Sequence, residues 1–114
     1  MSFQETRKIS KIVSELTSYL LKRGFFHVRF LIEKRKDETM IEITLPSVKI
    51  ADVREMIEKI DQQSSPEIET YGWEVVGEAA EKDQLTVLGM LIDSVDVEET
   101  SENLVLTCRR KHKD

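Results

Sequence analysis

Three side chains in this chain do chemistry most readily near neutral pH: His27, His112 and Cys108. The two histidines lie far apart and lack metal-ligand spacing. Cys108 alternates with Leu104 and Leu106 in "LVLTCRR", which reads as a small buried apolar residue rather than a nucleophile. Glu98 and Glu99 form a carboxylate pair, but next to "TSEN" they read as the solubilising end of a hairpin rather than as metal ligands. No His-Cys or Ser-His-Asp spacing stands out, although such triads assemble in space rather than in sequence. Trp73 reads first as a packing residue, because its ring must bury a large area, and second as an interface anchor.

Composition limits the elements that can position these groups. The chain has 114 residues, enough for a single domain (1–114) with its own core. It is 39% hydrophobic and 34% charged, a globular rather than a disordered profile. Its net charge of −5 argues against a general nucleic-acid binder. No apolar run approaches the length of a membrane span. "MSFQETRKIS" has no long apolar core or small-residue cleavage site, and a lone cysteine excludes an internal disulfide, so the expected location is the cytoplasm. The basic cluster "RRKHK", Arg109 to Lys113, reads as a solubilising tail or as protective charge on an edge strand.

Periodicity then orders the elements. Ile9, Ile12, Val13, Leu16, Tyr19 and Leu20 recur at three- and four-residue steps and predict a helix over 3–23. Ser2 with Glu5 has capping-box spacing, and Thr6 is a second possible start. Gly24, after Lys22 and Arg23, is the expected stop. Phe26, Val28, Phe30 and Ile32 alternate, as do Ile41, Ile43 and Leu45, with the turn in "EKRKDET". Pro46 ends that hairpin, Ser47 is placed to cap a second helix, and "IADVREMIEKID" keeps helical spacing. "QQSSPEIET" reads as a loop, and "YGWEVVGEAA" leans to strand, weakened by Gly72 and Gly77. "KDQLTVLGMLIDSV" fits a helix capped by Asp83 or a strand; its length favours the helix. Val95 and Val97, then Leu104, Leu106 and Cys108, alternate on either side of "EETSEN" and predict a closing hairpin. The expected fold is α+β: a two-layer sandwich of one mixed or antiparallel sheet with helices on one face, ordered α-β-β-α-β?-α-β-β.

This order, with "LGMLIDSVDVEETSENLVLTCRRK", resembles the histidine-kinase-like (GHKL) ATPase fold, and most closely the anti-sigma-factor serine kinase family. There a helix ends in a leucine-apolar-Asp-x-Val-x-Val segment and enters a final hairpin. Leu91, Ile92, Asp93, Val95 and Val97 match that pattern. "IVSELTSYLLKRG" resembles the family's first motif helix and places Glu15 at its glutamate.

The resemblance implies an ATP site, and the departures fall on it. Four residues after the glutamate the family has an asparagine that holds Mg²⁺; Tyr19 stands there, and a phenol is a poor substitute for an amide oxygen. The family's Asp-x-Gly after the second strand is replaced by "ITLPSVK", where Thr44 is the one hydrogen-bonding candidate. Its glycine-rich phosphate loop is replaced by "AAEKDQL", without glycine. There Asp83 would occupy the anion position, Glu81 would repel phosphate and Lys82 would attract it. The equivalent site would be lined by Glu15, Tyr19, Thr44 and Lys82, with Glu15 the catalytic carboxylate if the site were active. The expectation is a degenerate, non-catalytic regulatory module that needs no cofactor and acts on a protein partner or as a homodimer. The alternatives are an active Mg-ATP-dependent serine kinase, or an unrelated α+β oligomerisation domain whose last apolar run is a strand.

Overall fold

The computed structural model describes residues 3–62 and 84–112. The described chain runs α1 (Phe3–Lys22), β1 (Arg29–Lys34), β2 (Glu38–Pro46), α2 (Ile50–Gln62), α3 (Gln84–Leu91), β3 (Ser94–Glu99) and β4 (Asn103–Lys111). The four strands form one sheet in the order β1-β2-β4-β3, with every neighbouring pair antiparallel. The fold is the expected two-layer α+β sandwich. The anticipated strand at 71–80, with Trp73, and the residues Glu81, Lys82 and Asp83 lie outside the described residues.

Helix α1 forms because its apolar residues share one face: Ile9, Ile12, Leu16 and Leu20 are all buried. It stops at Gly24, whose φ of 93° few side chains tolerate. Gly24 N–H donates to Leu21 O and Phe25 N–H to Leu20 O, both at 3.1 Å. These two bonds satisfy carbonyls that the helix end would otherwise leave open. Phe25 then packs against the core.

The central strands alternate as their sequences require. Thr39, Ile41, Ile43 and Leu45 of β2, and Leu104, Leu106, Cys108 and Arg110 of β4, turn toward the helices and are buried. Met40, Glu42 and Thr44 lie on the opposite face, beside Val105, Thr107 and Arg109. Helix α3 settles its ambiguous segment as a helix: Leu85, Val87, Leu88 and Leu91 are all buried, followed by Ile92. It packs against both α1 and α2.

Four local expectations are corrected. Ser47 does not cap α2; it sits in a left-handed turn with φ 62°, its N–H donating to Glu102 O at 2.8 Å. The N-terminus of α2 is instead capped by Asp52, which accepts from Lys49 N–H at 3.0 Å, and by Glu99, which accepts from Ile50 N–H at 2.7 Å. Glu98 and Glu99 therefore belong to β3, not to its turn. The turn is built on Thr100, whose Oγ1 accepts from Asn103 N–H at 3.0 Å. Arg109 to Lys111 of the basic cluster are neither tail nor edge, because β4 is an inner strand and Arg110 is 1% exposed; Lys113 lies outside the described residues. Finally, Glu5, expected at the helix start with Ser2, which lies outside the described residues, turns its carboxylate onto Arg110. Arg110 Nε donates to Glu5 Oε2 at 2.9 Å and Nη2 to Oε1 at 3.1 Å.

Candidate functional site

The described members of the anticipated nucleotide site do not converge. Glu15 and Tyr19 stand on successive turns of α1, in the helical layer. Glu15 is 7% exposed and its carboxylate meets Lys11 Nζ at 2.9 Å. The Tyr19 ring is half-buried, with the Arg23 guanidinium carbon 5.2 Å from its centroid. Thr44 lies on the far face of the sheet, opposite Arg29 of β1 and Val105 of β4. The sheet therefore separates Thr44 from Glu15.

The other chemically capable groups have structural partners. His112 Nδ1 faces Lys36 O at 3.0 Å, and a carbonyl only accepts, so Nδ1 carries the proton. In that neutral tautomer Nε2 accepts from the Thr39 hydroxyl at 2.9 Å. His112 thus ties the end of β4 to the β1-β2 turn. His27 is exposed, just before β1. Among the described residues no group of three His, Cys, Asp or Glu side chains could hold a metal ion.

Cys108 is 2% exposed, and burial pushes its thiol from 9.0 up to about 12. The folded state holds this proton more tightly than the unfolded state does. The thiol's contribution to stability is therefore intact below pH 9.0 and is lost as the pH climbs toward about 12. Native protein at pH 8 should resist an aromatic disulfide reagent over hours, and denatured protein should release one equivalent at once. Immediate reaction of the native thiol would contradict the buried placement.

The open face carries a shallow depression of about 340 Å³ lined by Glu42, Asp96, Glu98, Val105 and Thr107. Its charge is partly balanced by Arg109, whose Nε donates to Asp96 at 3.0 Å and Nη1 to Glu38 at 3.2 Å. The hydrogen bond to Asp96 raises the Arg109 pKa and keeps the guanidinium charged.

A different surface stands out for its uncovered apolar side chains. Among the described residues the large exposed hydrophobics are Leu21, Phe26, Leu31 and Ile32, at 56, 95, 58 and 51% exposure. All four come from one stretch, the end of α1 through β1. Beside them a cavity of about 280 Å³ is lined by Gly24, Phe25, Phe26, Pro46 and Val48, mostly apolar. The alternation anticipated for Phe26 in a strand begins only later, at Arg29, which leaves the Phe26 ring outside the sheet. Sequence pattern marked Leu21 and Phe26 as apolar, and nothing in it distinguished an uncovered ring from a core ring.

No known protein family, curated protein or solved structure matches the chain. Among the described residues no helix is long and apolar enough to cross a membrane.

Proposed function

We propose that this domain is a non-catalytic protein-binding module whose contact surface is the margin formed by the end of α1 and strand β1. The observation that carries the reading is the exposure of Leu21, Phe26, Leu31 and Ile32, all within the stretch from the end of α1 through β1. Exposing large apolar side chains to water is unfavourable by roughly 25 cal/mol per Å². Large apolar side chains left uncovered close together along the chain are candidates for an interaction surface. On this reading the anti-sigma-kinase-like resemblance describes a scaffold used for regulation through contact. The helix α3 running into the β3-β4 hairpin is consistent with that scaffold.

A photo-crosslinking residue at Phe26 tests the reading in cells, with the same residue at exposed Glu58 of α2 as control. Specific protein adducts at position 26 and none at position 58 are expected. Equal or absent labelling at both would remove the assignment of this surface. Calorimetric titration with Mg-ATP tests the competing kinase. Micromolar binding abolished by Glu15→Ala would overturn the non-catalytic reading.

A further inference from the structure

Among the described residues, strand β1 is one edge of the sheet and β3 is the other. The hydrogen-bond phase of β1 can be read from its hairpin. Arg35 N–H donates to Glu38 O at 2.8 Å, so Arg35 and Glu38 form a hydrogen-bonded pair. With Leu31 opposite Glu42 and Glu33 opposite Met40, the odd-numbered residues of β1 spend their backbone groups on β2. The N–H and C=O groups of Phe30 and Ile32 therefore point away from β2, where no described strand lies beside them.

We infer that this edge pairs with β1 of a second copy of the chain, antiparallel, about a two-fold axis perpendicular to the sheet at Leu31. Such an axis brings residues of the same face opposite one another, which restricts the allowed registers. Centred on Leu31, the register sets Leu31 against the partner's Leu31, Phe30 against the partner's Ile32, and Arg29 against the partner's Glu33. Over residues 29–33 each apolar residue meets an apolar residue and each charge meets its opposite, while Lys34 falls opposite Val28, just before the strand. Phe30 and the partner's Ile32 form hydrogen-bonded pairs, which match the outward backbone phase. Leu31 then falls at a non-hydrogen-bonded pair, where side chains approach most closely.

The neighbouring registers are mismatched. Centring on Ile32 sets Leu31 against the partner's Glu33 and Arg29 against the partner's Arg35. Centring on Phe30 sets Arg29 against the partner's Leu31. The opposite edge is more acidic: self-pairing of β3 centred on Asp96 or on Val97 would oppose Asp96 to the partner's Asp96 or to the partner's Glu98. Two four-stranded sheets would thus join into one whose remaining edges repel further copies. The pairing covers Leu31 and Ile32, which lie on opposite faces of β1 and are each more than half exposed in the isolated chain.

This inference rests on the proposed contact surface and adds its partner. Sedimentation of the full chain across a concentration series is expected to show a closed species at twice the 13.2 kDa protomer mass. Arg29→Glu alone and Glu33→Arg alone should each weaken the dimer about tenfold, because each sets like charges opposite at two symmetric sites. A mixture of the two variants should form a heterodimer, and the double variant should recover the homodimer; a merely structural role for either residue would give neither rescue. Leu31→Cys should oxidise to a linked dimer much faster than Ile32→Cys, since the native Cys108 is buried. A monomer at all concentrations overturns the inference, as does a dimer indifferent to both charge variants. Concentration-dependent growth beyond a dimer, the expected sign of β1 stacking on β3, overturns it as well. If the chain is monomeric yet crosslinks another protein through position 26, the self-pairing fails and the proposed contact surface stands.

Discussion

Arg110→Ala should destabilise the domain by about 3–5 kcal/mol, the range for leaving a buried charge without its partner. Arg110 and Glu5 are 1% and 2% exposed, and the guanidinium grips the carboxylate with two parallel hydrogen bonds. Its remaining arm, Nη1, donates to Leu91 O at 2.8 Å, on a carbonyl in the last turn of α3. One side chain on β4 thus holds the start of α1 and the end of α3. Removing it strands a carboxylate in a site with little access to water and opens the α3 carbonyl. Because small domains are stable by only about 5–15 kcal/mol, the loss is a large share of the total. Urea unfolding should show a lower midpoint for Arg110→Ala and for Glu5→Ala, with losses that do not add in the double variant. Replacing the pair together by Leu at Glu5 and Met at Arg110 should recover most of the stability, since an apolar pair avoids the desolvation penalty. A loss below about 1 kcal/mol for Arg110→Ala would mean that the pair is solvated.

Leu88→Ala should cost about 2–5 kcal/mol. Leu88 is fully buried in α3, which contacts both α1 and α2. Truncation removes its transfer energy and leaves a cavity between helices whose positions are held by the Gly24 stop and the Asp52 and Glu99 caps, so the gap closes poorly. Leu31→Ala provides the contrast: more than half exposed on the edge strand, it should change protomer stability by no more than about 0.5 kcal/mol, measured at concentrations where the chain is monomeric. Equal midpoints for the two variants would contradict the placement of α3 in the core.

Wherever a buried face and a wet face alternate along one element, the sequence determined that element by itself. The apolar spacing from Ile9 to Leu20, the Ile41-Ile43-Leu45 alternation, the Leu104-Leu106-Cys108 alternation and the stop at Gly24 are local patterns, and each corresponds to an observed element. Helix α3 was ambiguous because nearly every residue in "QLTVLGML" is apolar, so no period marks a face. Only its burial between two other helices decided between helix and strand. Tertiary structure alone also set the strand order, and with it the fate of the basic C-terminal cluster. Periodicity says which side of a strand is buried but not which strands flank it. Nothing within reach of Arg110 in sequence announces Glu5, and Glu99 caps a helix that begins at Ile50. The same limit governs the candidate sites. Glu15 and Thr44 share an expected motif order, yet side-chain alternation on β2 sends Thr44 to the face away from α1. The RFLIE run of β1, with opposite charges flanking three apolar residues, was present in the sequence throughout. It acquired meaning only when the sheet order made β1 an edge and the hairpin phase turned Phe30 and Ile32 outward.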